Sequence, residues 1–366
     1  MLTIFSIILC GLFLAYANGA NDNFKGVATL FGSGTADYKR ALYWATFTTL
    51  LGSFAALILA RGLLVAFSGK GLVPDSVIST QGFSISVSLA TALTILLATK
   101  FGLPVSTTHA LTGALIGTGW LASDSGVNLE RLGSGFFLPL AVSPVLAIAA
   151  TAVIYPTFSW ARVRLDVTKE TCICVGTEMV ASSIAGRGEA LLRTRPVVDV
   201  GTEATCVYSG AVLGIDAQTI LNTLHYLSAA VVSFARGLND TPKIAALLLV
   251  GSVLPQNLAI LGVALAIAAG GLTNSRAVAE TLSHRVTSMN SGQGFTANII
   301  TGVIVIFASK LNLPVSTTHV SCGALFGIGA ITRQAHWKTI RTILMAWLTT
   351  LPLAACLGAL AFFILR

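Results

Sequence analysis

Lys100-Phe101-Gly102-Leu103-Pro104-Val105-Ser106-Thr107-Thr108-His109 is written twice in this chain, the second time as Lys310-Leu311-Asn312-Leu313-Pro314-Val315-Ser316-Thr317-Thr318-His319. Over the twenty positions that begin at Lys100 and at Lys310, thirteen are identical. Two further motifs lie ahead of each copy. Gly19-Ala20-Asn21-Asp22 returns as Gly237-Leu238-Asn239-Asp240, and Gln81-Gly82-Phe83-Ser84 returns as Gln293-Gly294-Phe295-Thr296. Three motifs in one order, at offsets of 218, 212 and 210, mark an internal duplication. The halves run from 1 to 160 and from 218 to 366, with a connector at 161–217.

Each half is a string of apolar segments. Of the 366 residues, 54% are hydrophobic and 10% charged, whereas a soluble domain averages about a quarter charged. Runs such as Ala41 to Ala60, Leu138 to Ile154 and Ile340 to Leu365 approach or exceed the roughly 20 residues that a helix needs to span about 30 Å of hydrocarbon. Frequent Gly and the lack of strand-like alternation in these runs favour a helical bundle over a barrel. The chain reads as an all-α polytopic membrane protein with about five helical elements per half: 2–33, 41–67, 83–99, 103–120 and 134–159, then 219–252, 256–272, 294–309, 314–331 and 340–365. The first element of each half is expected to break at its Gly-x-Asn-Asp motif. The short third and fourth elements meet at Gly102 or Asn312 and suggest re-entrant hairpins. Either way the number of crossings per half is odd, so the repeats have inverted topology.

Loop charge sets the orientation. With the N-terminus outside, one side receives thirteen Lys and Arg and the other four (Arg61, Lys70, Arg131, Arg366). By the positive-inside rule the connector is cytoplasmic and both termini are outside, in a plasma or inner membrane. The net charge of +8 is therefore no footprint for nucleic acid. Ile4 to Ala17 lacks a basic start and runs into the first motif, so it reads as a span rather than a cleaved signal. Six scattered cysteines give no disulfide framework, and Cys172-x-Cys174 with Cys206 lacks a fourth metal ligand. Alternation over Thr171 to Val175 and Ala204 to Ala211 suggests a small β-rich insert in the connector.

Of fourteen carboxylates, only Asp22 and Asp240 fall inside apolar segments. A charge at mid-membrane costs at least about 2.5 kcal/mol, so it normally has a partner and a purpose. Both sit at one repeat-related position, where non-helical backbone would free carbonyls to coordinate a cation beside the carboxylate. The blander reading is an N-cap for the following half-helix. Pro104 to Thr108 and Pro314 to Thr318 read as helix starts, whose free amides and positive dipole end attract anions. Two copies meeting would surround a tetrahedral oxyanion with hydroxyls and amides, although Ser and Thr there could instead only cap helix ends. His109 and His319 read as structural hydrogen bonders in preference to a proton relay. Gly113 with Gly117, and Gly323 with Gly327, present small faces for helix packing.

Paired Gly-x-Asn-Asp and Pro-Val-Ser-Thr-Thr-His motifs in such a repeat resemble the PiT family of inorganic phosphate transporters, which includes sodium- and proton-coupled phosphate carriers and some sulfate permeases. The resemblance covers both halves but not the connector. It implies a substrate site at Asn21, Ser106, Thr107, Asn239, Ser316 and Thr317, with Asp22 and Asp240 as cation-coupling residues where sodium could bind. One departure concerns the family's Asn-Asp-Val-Ala-Asn-Ala, which here reads Asn-Asp-Asn-Phe-Lys-Gly and Asn-Asp-Thr-Pro-Lys-Ile. Lys25 and Lys243 stand at the family's second Asn. Each ammonium could replace a sodium ion or contact the anion, or else snorkel to an interface.

The expected function is secondary transport of phosphate by alternating access, with sulfate or another oxyanion as the alternative substrate. The expected partners are the lipid bilayer, sodium or a proton as coupling ion, and a second copy in a homodimer, with no nucleic acid. An anion channel would need a continuous polar lining, and an embedded enzyme a nucleophile or metal motif. The sequence offers neither, and it carries no nucleotide-binding loop.

Overall fold

The computed structural model describes residues 2–124, 126–183, 190–202, 213–249 and 254–366. They fall into two units, 1–154 with 226–366, and 155–225.

Five main helices come from each half. They are α1 (Leu2–Asp22), α2 (Tyr38–Leu59), α3 (Gln81–Lys100), α4 (Thr107–Ala122) and α5 (Leu138–Arg164), then α6 (Ala217–Leu248), α7 (Gln256–Asn274), α8 (Ser291–Lys310), α9 (Thr317–Thr332) and α10 (Trp337–Leu365). Among the described residues, seven helical stretches are long and apolar enough to cross a membrane. The arms α4 and α9, at 16 residues each, fall short of the roughly 20 that a span requires.

The turns joining α3 to α4 and α8 to α9 are built alike. Gly102 (φ +66°) and Asn312 (φ +57°) are left-handed, a conformation open to Gly and tolerated by Asn. In each turn the next amide closes back onto the helix end, Leu103 N donating to Ala98 O and Leu313 N to Ala308 O, both at 2.9 Å. This six-to-one bond ends a helix and reverses the chain. Ser106 and Ser316 then start the second arms as N-caps, accepting from His109 N at 3.0 Å and His319 N at 3.2 Å.

The two Gly-x-Asn-Asp motifs differ in backbone. In the first half α1 ends at Asp22 and gives way to a 3-10 turn over Asn23–Gly26. Asp22 makes no side-chain capping bond there. In the second half the expected break is absent, and α6 runs through Asn239, Asp240 and Pro242 to Leu248. Proline fixes φ near the helical value and removes only one amide donor, which membrane helices accommodate.

Glycine seams interlock the halves. A Cβ at Gly19 would meet Ile267 O of α7, and one at Gly270 would meet Tyr16 O of α1. The repeat-related crossing pairs Gly237 with Thr49 O and Gly52 with Phe234 O. Thus α1 packs on α7 and α6 on α2, each first helix resting on the second helix of the other half. The Gly113/Gly117 face of α4 lies against Leu351 O and Ala355 O of α10, while Gly323 of α9 lies against Pro144 O of α5. Overfilling such a contact costs about 3 kcal/mol. Gly52→Leu is therefore expected to lower the thermal midpoint in detergent by several degrees, whereas Gly71→Ala, with nothing within 4 Å, tests only backbone strain at φ +76°.

In the second unit, β1 (Thr171–Ser183) pairs antiparallel with β2 (Ala190–Thr202) and β3 (Leu213–Asp216), in the order β2-β1-β3. The alternation at Thr171 to Val175 is thus a strand, and Ala204 to Ala211 lies outside the described residues. Cys174 is disulfide-bonded, where the sequence suggests no disulfide framework. The spacing of six scattered cysteines carries no pairing information of its own. Cys206 lies outside the described residues.

Candidate functional site

The two hairpin turns meet each other. Thr108 Oγ1 donates to Val315 O at 3.2 Å, and Thr318 Oγ1 donates to Val105 O at 2.9 Å. This brings the N-termini of α4 and α9 together beside the two Asn-Asp motifs. Two acids and three bases lie buried here: Asp22, Asp240, Lys25, Lys243 and Arg236, none more than 3% exposed.

The lysines make repeat-matched contacts. Lys25 Nζ pairs with Asp22 and donates to Asn21 Oδ1 (3.0 Å), Val105 O (2.8 Å) and Thr318 Oγ1 (2.6 Å). Lys243 Nζ donates to Val315 O and Thr108 Oγ1, both at 2.8 Å, and lies 3.6 Å from Asp240 Oδ1. Both lysine side chains are 0% exposed, so neither snorkels to an interface.

Around them, Asn21 Nδ2 donates to Thr99 Oγ1 and Leu103 O, and Asn21 Oδ1 accepts from Val105 N. Asn239 Nδ2 reaches Asp240 Oδ1, Val315 O and Thr317 Oγ1, and its Oδ1 accepts from Ser309. The structure therefore gathers Asn21, Asp22, Lys25, Thr107, Asn239, Asp240, Lys243 and Thr317 into one network. Ser106 and Ser316 border it as helix caps.

Arg236 is the residue that sequence reasoning missed. By the 218-residue offset it is the repeat mate of Asn18, and the two bond directly, Arg236 Nη2 donating to Asn18 Oδ1 at 2.7 Å. Its Nη1 donates to Asn23 Oδ1 at 3.1 Å. Asn18 Nδ2 in turn spans both carboxylates, at 3.4 Å from Asp22 Oδ2 and 3.3 Å from Asp240 Oδ2, and donates to Thr107 Oγ1 at 2.8 Å. The signal was present, because Arg236 is an arginine within an apolar stretch one residue ahead of the Gly-x-Asn-Asp motif.

Three basic side chains against two carboxylates give the cluster a formal charge of +1, inside protein. Burying unbalanced charge is expensive, so the arrangement calls for an anion. Donors for one remain uncommitted. Arg236 Nε makes no hydrogen bond among the described residues and stands 3.8 Å from Asp240 Oδ2 as an ion pair. The hydroxyls of Ser106, Ser316 and Thr317 accept in their contacts and donate in none among the described residues. The first-turn amides of α4 and α9 add positive dipole ends.

His109 and His319 line a cavity of about 570 Å³. Pro144 has no amide to give to Leu140 O, and His319 Nδ1 lies 3.3 Å from that carbonyl. The two imidazoles stand edge to face at 4.4 Å. Leu344, Leu348, Leu351 and Pro352 also line the cavity, which is too apolar to hold an anion.

The model for the "Phosphate transporter family" matches residues 18–358. The chain belongs to that family. Its membership makes it a transporter-family protein and not an enzyme. A relative from Pyrococcus abyssi that bears a phosphate-permease name is 26% identical, over 98% of this chain and 96% of its own. Inorganic phosphate transporter 2-1 of Arabidopsis thaliana, chloroplastic, is 26% identical over 97% of this chain and 71% of its own. A solved structure named as the sodium-dependent phosphate transporter has a TM-score of 0.78 and 22% identity, covering 100% of this chain and 99% of that one. At that identity the likeness carries the fold alone.

Proposed function

We propose that this phosphate transporter family member is a secondary transporter that carries inorganic phosphate, with the hairpin tips as its binding site and alternating access as its mode of release. The observation that carries the reading is the buried cluster of formal charge +1, with an Arg236 Nε that makes no hydrogen bond and three hydroxyls that donate in none among the described residues. The carboxylates favour phosphate over sulfate. Asp22 and Asp240 offer acceptor lone pairs, and the hydrogen phosphates carry O–H donors near neutral pH whereas sulfate has none. Reconstituted into liposomes, the protein should take up labelled phosphate, and unlabelled phosphate should compete better than sulfate. Uptake of sulfate with no competition by phosphate would overturn the assignment.

The inverted repeat and the loop charges support an orientation with both termini outside and the connector in the cytoplasm. The Cys174 disulfide argues the other way, since such bonds persist on oxidising faces. An impermeant maleimide added to intact cells distinguishes the two. Lys169→Cys, at an exposed connector position, should react only after permeabilisation. Reaction without it would reverse the orientation.

A further inference from the structure

Each hydrogen-bond partner of the Lys25 ammonium among the described residues presents an acceptor. Asn21 presents its oxygen, because its Nδ2 is committed to Thr99 and Leu103. Val105 presents a carbonyl, and Asp22 a carboxylate. Thr318 has given its own hydroxyl proton to Val105 O, so it too faces the nitrogen as an acceptor. At Lys243 the pattern repeats: Val315 O, Asp240 Oδ1, and Thr108 Oγ1 with its proton on Val315 O. A carboxylate, a backbone carbonyl and a hydroxyl oxygen, all turned inward, form the hard donor set that a small cation takes. Each set is drawn from both halves of the chain, the Asp from a first helix and the Thr from the opposite hairpin.

We infer that Lys25 and Lys243 are resident cations, whose ammonium groups fill two oxygen cages that would otherwise bind an alkali cation, so that this carrier moves its anion without binding sodium. The transport consequence rests on the anion-carrier reading above, but the occupied cages do not. Asp22 and Asp240, the carboxylates marked out for sodium by sequence, do not fit that ion with the lysines in place. Each carboxylate already has a cation of its own half, held on a side chain that cannot dissociate. A further cation would raise a buried cluster that is already at +1. A monovalent oxyanion would instead bring it to neutrality. The charge that a sodium-coupled carrier would borrow from solution is here built into the chain.

Removing an ammonium should reopen its cage. In Lys25→Asn, the oxygens of Asn21, Asp22, Val105 and Thr318 remain, and a new amide oxygen joins them. The experiment measures saturable binding of ²²Na⁺ to purified wild type, Lys25→Asn and Lys243→Asn in detergent. Thermal midpoints in sodium chloride and in choline chloride at equal ionic strength accompany it. Wild type is expected to show no saturable binding and equal midpoints in the two salts. Each variant is expected to gain a saturable site and a midpoint that rises with sodium. In proteoliposomes, wild-type phosphate uptake should be equal in the two salts, and uptake by Lys25→Asn should be about tenfold higher in sodium, the effect of one charge-assisted contact. Saturable ²²Na⁺ binding by wild type overturns the inference, and this arm does not depend on a variant folding. Variants that fold but gain no sodium response also overturn it. Wild type that carries no phosphate in either salt, yet binds no sodium while the variants do, overturns the phosphate reading and upholds the resident cations.

Discussion

Arg236→Ala is expected to abolish phosphate uptake and to weaken phosphate binding by about a hundredfold or more. The guanidinium is fully buried, holds Asn18 and Asn23 at 2.7 and 3.1 Å, and provides the positive charge in excess. Deleting it takes the cluster from +1 to zero. A hydrogen bond to a charged group contributes about 1.5–3 kcal/mol, and about 2.7 kcal/mol is a hundredfold in affinity. Two acids and two bases remain formally balanced, so the protein should still fold, which a single cooperative thermal transition, at a lower midpoint than wild type, would establish. Calorimetric titration with phosphate measures the loss. An affinity within threefold of wild type in a folded variant would place the anion elsewhere.

Lys25→Ala should destabilise the protein by about 3–5 kcal/mol in sodium-free medium, because it leaves Asp22 buried with no counter-charge of its own half. Asp22→Ala should cost a similar amount for the complementary reason. The double change Asp22→Asn with Lys25→Asn removes both charges and should recover much of that stability without recovering transport. Wild type, Asp22→Asn, Lys25→Asn and the double variant form a cycle whose coupling energy measures the pair directly. Chemical denaturation in choline chloride gives the four stabilities. If the double variant loses the sum of the two single losses, the pair is not coupled, and the lysine acts only through packing.

The duplicated motifs made most of the architecture legible. A hairpin that turns at a left-handed residue and restarts at Pro-x-Ser leaves local marks: Gly102 or Asn312, then Pro, then a hydroxyl cap. Those marks depend on neighbours along the chain, so they can be read from it. Asp22 and Asp240 were legible because a carboxylate is conspicuous in an apolar run. Arg236 was not, because comparing the halves rewards identity and Arg236 stands opposite Asn18. Its importance lies in breaking the symmetry. The helical course through Asn239 and Pro242 was misread for a different reason. Proline signals a lost amide, but whether the helix bends there depends on what packs around it, and Gly237 is held against Thr49 O from the other half. The committed hydroxyl protons of Thr108 and Thr318, which identify the lysine cages, are tertiary facts that no spacing encodes.

The crossing of α1 on α7 has a consequence for biogenesis. Gly19 waits for Ile267, which leaves the ribosome about 250 residues later, roughly ten to fifty seconds at ordinary synthesis rates. Over that interval the Gly19 seam, and the Asn21, Asp22 and Lys25 that follow it, have entered the bilayer without the helix that will cover them. Lys25 can shield Asp22 at once, since the two stand three positions apart in one chain segment. The nascent first half thus carries its own neutralising charge through insertion and needs no ion from the cytosol to survive until the second half arrives.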